Sequence, residues 1–490
     1  MPAPAAADTL EEALIQAYNT NPTLLAARAN QRAVDENVPI AKADGRPDVR
    51  GDTQYIEFLR QAATSFTAPD RGIFAGVDLT IPVYSGGAVR NAVRAAQERV
   101  DAGQADLRAT QSAIFAQTVA AYMDVIRAEA LVGLSRNQVD VLGVNLEATQ
   151  DRFEIGELTR TDIAQSQSRL ALAQGDLQTA ESNLIAAREA YIALVGEAPT
   201  NLQAPPPLPN LPDTLNTAVA TALEENPDLE AARERSAAAG FDIEVAGAGR
   251  LPRLGVFTGG DYQNFLGTLG GPVGTNVPQT TTAASAGVQL TIPIFQGGRP
   301  AAQQRQAQAR ALSVYENEIG TEREVIRQVR AAFASYRAAL AIIESSEVAV
   351  AASELSLEGV RAENSIGNRD VLDVLNAEQE LLSSRAQLIT ARRNAYVAGF
   401  SLLAAMGRAE ARDLGLGDGT PLYDPQTNYE RVEGKWFDFD RDPAPVAGAT
   451  RTVDIPAPDA MIGPIDDLAP VAGARIDTGD SSVGAGEQGE

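Results

Sequence analysis

Residues 153–170, FEIGELTRTDIAQSQSRL, and residues 364–381, NSIGNRDVLDVLNAEQEL, decide how the chain is read. Each sets a glycine, Gly156 or Gly367, in a short polar turn between two long stretches of helical character, and the two glycines are 211 residues apart. A small turn between long helices is the tip of a helical hairpin. The chain holds that hairpin twice, and the other segments read as what carries the two tips.

The self-similarity extends outward from the tips. Thr9-Leu10, Asn21-Pro22 and Ala26-Ala27-Arg28 recur as Thr214-Leu215, Asn226-Pro227 and Ala231-Ala232-Arg233, and Pro47 recurs as Pro252, all at an offset of 205. GVDLTIPVYSGG (76–87) recurs as GVQLTIPIFQGG (287–298) at an offset of 211, which persists to Gly196 and Gly407. A repeat found this way sets the domain plan: a first structural repeat over 1–205, a second over 206–410 and a tail over 411–490. The second copy carries six extra residues, expected as a longer loop within the Gly-, Thr- and Pro-rich 259–282.

Composition narrows the function. The 490 residues include no cysteine and no histidine, which removes thiol nucleophiles, Cys/His zinc sites, Ser-His-Asp triads and histidine acid–base chemistry. Net charge is −25, against nucleic acid as a partner. No apolar run reaches the ~18 residues of a transmembrane helix. The start, MPAPAAAD, reads as an initiating methionine on a mature N-terminus just after a small-residue cleavage site, with a native cytosolic start as the competing reading. The tail from 411 holds 6 basic and 16 acidic side chains and is rich in Gly, Pro and Asp, so it is expected to be mostly disordered; Tyr423-Asp-Pro and Gly434-Lys-Trp-Phe437 are candidate local docking elements, with a floppy tail carrying a few aromatics as the favoured reading.

Taken in order, residues 9–44 read as helical, with Asn21 before Pro22 as an N-cap. From Pro47 the period changes to two: Val49, Gly51, Thr53 and Tyr55, then Val77, Leu79 and Ile81, with a turn near Ala68-Pro69-Asp70. The second copy supplies strands near 252–265 and 281–295. Two strands of about a dozen residues can cross a bilayer as a tilted β-hairpin. A long helix follows, about 88–152. Its apolar seam steps by seven through Val100, Leu107 and Ile114, then by eleven to Val125, then by seven again through Val132, Val139, Leu146 and Phe153. Tyr336, Ile343, Val350 and Leu357 hold equivalent places in the second copy. The return helices carry Ile163, Leu170, Leu177, Leu184 and Tyr191, matched by Val374, Leu381, Leu388, Ala395 and Leu402. Such spacing means coiled-coil-like packing with a locally relaxed winding. Helices at about 161–195 and 213–247 are expected end to end, matching one long helix in length.

Four strands per chain cannot close a transmembrane barrel, because the smallest have eight, and open sheet edges cannot face lipid. The chain must therefore oligomerise. Three copies supply twelve strands and twelve rod-like helical positions: a trimeric 12-stranded β-barrel continuous with a long α-helical coiled-coil barrel, an α+β membrane protein.

This duplicated pattern resembles the TolC family of trimeric outer-membrane exit ducts over about 9–407, on the twin Asn-Pro helices, the twin Ile-Pro-x-x-x-Gly-Gly junctions and the twin tips. The resemblance implies a homotrimer in the outer membrane lipid of a Gram-negative bacterium, with a long periplasmic extension. It further implies a periplasmic adaptor protein docking on the tips and an inner-membrane pump that supplies the energy. The type I protein secretion branch, with an ABC transporter as the pump, is the first reading. A multidrug-efflux channel is the alternative, and a soluble structural coiled-coil protein the alternative of another class. No enzyme activity, cofactor or metal is expected. At the tips, family correspondence gives Thr161, Asp162, Arg369 and Asp373 as a periplasmic gate, and Gly156, Leu158, Thr159, Gly367 and Asn368 as adaptor contacts. An Asp162–Arg369 link is charge-assisted. Asn364 stands where the family's latch has tyrosine, and Asn376 where it has the second aspartate of a constriction ring headed here by Asp373. Helix capping is the competing reading for Thr159-x-x-Asp162 and for Asn368 or Asp370.

Overall fold

The computed structural model describes residues 8–60, 68–271, 276–416 and 421–462. It opens with α1 (Leu10–Thr20), α2 (Pro22–Asp35) and α3 (Asn37–Ala43), then β1 (Asp48–Glu57), β2 (Arg71–Tyr84), α4 (Ala88–Glu154) and α5 (Arg160–Val195). The second half runs α6 (Leu215–Glu225), α7 (Pro227–Gly247), β3 (Arg253–Asn264), β4 (Thr280–Thr291), α8 (Arg299–Ser365) and α9 (Val371–Ala405), and α10 (Pro425–Val432) follows. The long helices α4 and α8 have 67 residues each, about 100 Å at 1.5 Å per residue.

The twin Asn-Pro pairs join helices end to end. Asn21 Oδ1 accepts from the Thr23 and Leu24 N–H groups and so caps α2, while its Nδ2 donates to the Leu194 carbonyl at the end of α5, 3.0 Å away. Asn226 does the same: Oδ1 caps α7 and Nδ2 donates to the Ala405 carbonyl of α9 at 3.0 Å. One amide thus satisfies orphan groups of two helix ends. This corrects the expected stacking of 161–195 on 213–247. The segment 160–195 instead abuts α2, and α9 abuts α7, while 213–247 is itself two helices broken at Asn226-Pro227.

The result is four rods side by side: α2–α3 continued by α5, then α4, then α7 continued by α9, then α8. The rods join the strands in the same order, α3 into β1, β2 into α4, α7 into β3 and β4 into α8, and the antiparallel sheet runs β1-β2-β3-β4. The turn from strand to long helix is made by glycine pairs at positive φ, Gly86 and Gly87 at 67° and 85° and Gly297 and Gly298 at 61° and 80°, which L-residues rarely adopt.

Strand register separates two faces. Val49, Tyr55, Ile73, Val77, Leu79, Val256, Tyr262, Val288 and Leu290 share one; Asp48, Arg50, Asp52, Asp78, Asp261, Gln263 and Gln289 share the other. The six extra residues of the second copy do not all enter a loop. Hairpin β1–β2 has ten paired positions and β3–β4 has twelve, so four of the six lengthen the strands. Expected strand residues 292–295 fall outside β4. The loop beside Ala68-Pro69-Asp70 includes 61–67, outside the described residues.

The main apolar core lies at mid-height, built from Leu14, Tyr18, Phe115, Tyr122, Leu184, Tyr191 and Phe400. The Tyr122 hydroxyl donates to the Asp8 and Gln203 carbonyls at 3.0 and 2.7 Å, and the Tyr396 hydroxyl to the Pro206 carbonyl at 3.1 Å, pinning the proline-rich connection. Burial pushes both phenols up, so they remain donors. Towards the tips the seam thins: Val132 is buried, but Val139, Leu146 and Leu177 are only half-buried.

The tail, expected to be mostly disordered, makes specific contacts over 421–462. Arg28 lies between the Tyr18 and Tyr423 rings, 4.1 and 5.1 Å from their centroids, and the Tyr423 N–H donates to the Tyr18 hydroxyl at 2.8 Å. Asp424 caps α10, whose Tyr429 packs against Val38, Ala96 and Val100. The segment then reaches Arg188, which donates to the Asp459 and Met461 carbonyls. The Tyr423-Asp-Pro anchor was legible in the sequence, whereas composition averaged over the tail hides the contacts at Arg188. Residues 463–490 lie outside the described residues.

Candidate functional site

Each tip is a glycine-closed helix end. Gly156 and Gly367 have φ of 84° and 81°, and the Glu157 and Asn368 N–H groups donate to the Arg152 and Glu363 carbonyls at 2.9 Å each, closing the last turns of α4 and α8. Nothing lies within 4 Å of where a Cβ would stand on either glycine, so the positive φ, not crowding, calls for glycine. Gly156, Thr159, Gly367 and Asn368 are exposed and Leu158 is half-buried, an open surface at the end of the rods.

Three of the four gate residues, Asp162, Arg369 and Asp373, find partners inside their own turns. Asp162 Oδ2 accepts from the Thr159 N–H and Oγ1, both at 2.8 Å, a capping box on α5. Those hydrogen bonds hold its carboxyl below the usual aspartate range. Arg369 Nε donates to Glu363 at 2.7 Å and its Nη1 stands 3.7 Å from Asp373. Asp162 and Arg369 are not joined within one protomer, and Thr161 is exposed. Asp370 is the N-cap residue of α9 but makes no side-chain cap bond. Asn364 accepts from Arg152 at 3.5 Å, linking α8 to α4, and its Nδ2 donates to the Arg369 carbonyl at 2.7 Å. Asn376 accepts from Arg169 of α5 at 2.8 Å.

Sequence reasoning missed the polar clamp behind the tips. Glu378, with a side chain only 2% exposed, accepts from Arg361 at 2.9 Å and from Asn145 at 2.8 and 2.9 Å, binding α9 to α8 and α4. Below it Leu142, Ala173 and Leu375 form a small apolar cluster. The one signal was position: Glu378 lies one helical turn beyond seam residue Val374, where a lone carboxylate faces inward. Higher up, Arg108–Glu230 and Arg235–Asp106 ion pairs join α4 to α7. There the carboxylate oxygens of Glu98, Asp101 and Glu234 lie within 4.8 Å of one another. Burial first, then hydrogen bonding to Glu98, pushes Glu234 up to about 7.

A sheet with one apolar face and two outer edges that no described strand pairs, set on rods about 100 Å long, is a section of channel wall, and no described helix is long and apolar enough to cross a membrane. A family model described as outer membrane efflux protein matches residues 13–197 and 218–408. The chain is 33% identical to the outer membrane efflux protein BepC of Brucella suis over 434 residues, 88% of this chain and 92% of that one. It is 29% identical to the alkaline protease secretion protein AprF of Pseudomonas aeruginosa over 318 residues, 63% of this chain and 64% of that one. The CmeC outer membrane channel of Campylobacter jejuni shares the fold, with a TM-score of 0.71 at 17% identity over 87% of this chain and 89% of that one. The chain belongs to the outer membrane efflux protein family, the TolC-like channels. It is a passive channel of the outer membrane and not an enzyme.

Proposed function

We propose that three copies close into an exit duct of a type I protein secretion system, fed by an inner-membrane ABC transporter through a periplasmic adaptor. The observation that carries the duct is the pair of unpaired edges, β1 and β4, on a sheet whose other surface is apolar. Open edges cannot face lipid, and twelve strands close a barrel. The apolar face then meets lipid and the face bearing Asp52, Asp78 and Asp261 lines the lumen. AprF, a protease secretion protein by name, supports protein cargo. The second reading, small-molecule efflux, is favoured by the name of BepC. Deleting the gene separates them: loss of one or more proteins from the medium with unchanged drug sensitivity supports secretion, and drug sensitivity with an intact secretome supports efflux.

In the ring, α8 of one copy adjoins α5 of the next, so the tip that follows α8, with Arg369, approaches Asp162 of its neighbour. The gate is that contact, in competition with the Thr159 cap and with Glu363. An exposed pair of this kind contributes roughly 0–1 kcal/mol, repeated threefold. Asp162→Asn with Arg369→Gln keeps a capping acceptor and removes the charges. Single-channel conductance in planar bilayers is expected to rise, and unchanged conductance would discard the latch. Asp373 is proposed to ring the constriction; Asp373→Ala should abolish block by polyvalent cations.

A further inference from the structure

Within one protomer β2 meets β3 with Ile81 opposite Val256, and Gly86 is so close to Leu251 that an added Cβ would stand 2.8 Å from the leucine Cβ. The repeat offsets, 211 for the first partner and 205 for the second, carry this geometry onto β4 of one copy and β1 of the next. They set Ile292 opposite Gly51 and Gly297 against Arg46. In the single protomer Gly297 has nothing within 4 Å of a Cβ, and Ile294 and Phe295 are 95% and 88% exposed, whereas their counterparts Val83 and Tyr84 are 58% and 49% exposed.

At Arg46 the tail adds something that the second repeat lacks. Arg46 Nη1 donates to the Lys435 carbonyl at 2.6 Å and its guanidinium lies 4.7 Å from the centre of the Trp436 ring. Lys42 Nζ reaches the Glu433 carbonyl and carboxylate at 3.1 and 3.3 Å. The turn beyond is braced on both sides. Arg431 donates to both Asp442 oxygens at 2.9 Å, Lys435 pairs with Asp440 at 3.2 Å, and the Asp440 N–H donates to the Phe437 carbonyl. This support presents Phe437 and Phe439 at 81% and 89% exposure. Aromatic side chains held out on a prebuilt turn make an anchor whose ordering cost has already been met.

Resting on the trimeric reading above, we propose that the Trp436–Phe439 turn is a clasp between copies, packing on the Ile292–Gly298 junction of the adjacent protomer. A second copy is the favoured occupant because the repeat geometry delivers apolar, uncovered residues to Arg46, the residue on which Trp436 is stacked. The other apolar surface at this level is lipid, and the test separates the two. Full-length protein carrying p-benzoylphenylalanine in place of Phe437 is purified as a trimer and irradiated. Covalent dimers and trimers are expected, with the adduct mapping to residues 292–300 of another copy, and none from the same probe in place of Val77, which is exposed on β2 between two strands of its own copy. An intact trimer that yields only lipid or detergent adducts would overturn the clasp and leave the duct standing. A sample that is monomeric before irradiation would overturn both. As a second readout, Trp436 is the only tryptophan of the chain, so its emission is expected to shift to the red when the trimer is dissociated by heat and to start red-shifted in Phe437→Ser/Phe439→Ser.

Discussion

Asn21 and Asn226 show how much one side chain can carry. An N-cap needs only an acceptor, so aspartate would serve it, but the Nδ2 donors to Leu194 and Ala405 need the amide. Asn21→Asp should leave the Leu194 carbonyl unpaired beside a carboxylate and cost about 1–3 kcal/mol. Asn21→Ala loses the cap as well, about 1 kcal/mol more. Thermal unfolding should rank wild type above Asn21→Asp above Asn21→Ala, and equal midpoints for wild type and Asn21→Asp would rule out the bridge. The cap was legible in the sequence from Asn-Pro; the bridge was not, because its second half lies 173 residues away. Glu234 gives a prediction in pH. Its folded pKa, about 7, is raised above that of a free carboxylate. The folded state therefore holds this proton more tightly, and the group's contribution is full at acid pH and lost as pH rises through 7. Glu234→Gln should match wild type at pH 5 and melt roughly 1–2 °C higher at pH 8, a small shift because the site is largely solvated.

Among elements, the long helices and strands were readable because their periods are long and regular. Both 67-residue helices begin and end at the same 211 offset, so the sequence showed each twice. The placement of the return helices was not readable. Length matching favoured 161–195 with 213–247, yet the cap geometry at Asn21 and Asn226 decides the pairing. The tips were located correctly from Gly156 and Gly367, but their partners were hidden, since Glu378, Arg361 and Asn145 are brought together only by three helices meeting. The thin seam there makes its few apolar contacts count. Leu375, 2% exposed, fills the cluster with Leu142 and Ala173. Leu375→Ala should cost about 2–5 kcal/mol locally. Amide hydrogen exchange should quicken at both tips while the sheet keeps its protection; uniform acceleration would mean that the tips are not a separate unit.

At the scale of the molecule, two unpaired sheet edges demand company. Protein from outer-membrane fractions is expected to run as a trimer that heat converts to monomer, and a folded, lipid-free monomer in plain buffer would end the duct reading. The two hairpins of each copy differ in height, which bears on the mouth of the proposed duct. Two further paired positions raise β3–β4 above β1–β2 by two residues per strand, about 7 Å along the strand at 3.4 Å per residue. Around the ring, tall and short hairpins alternate, so the paired part of the proposed wall has a crenellated upper edge. Anything broad docking on this edge would meet three high and three low sections of paired wall in turn.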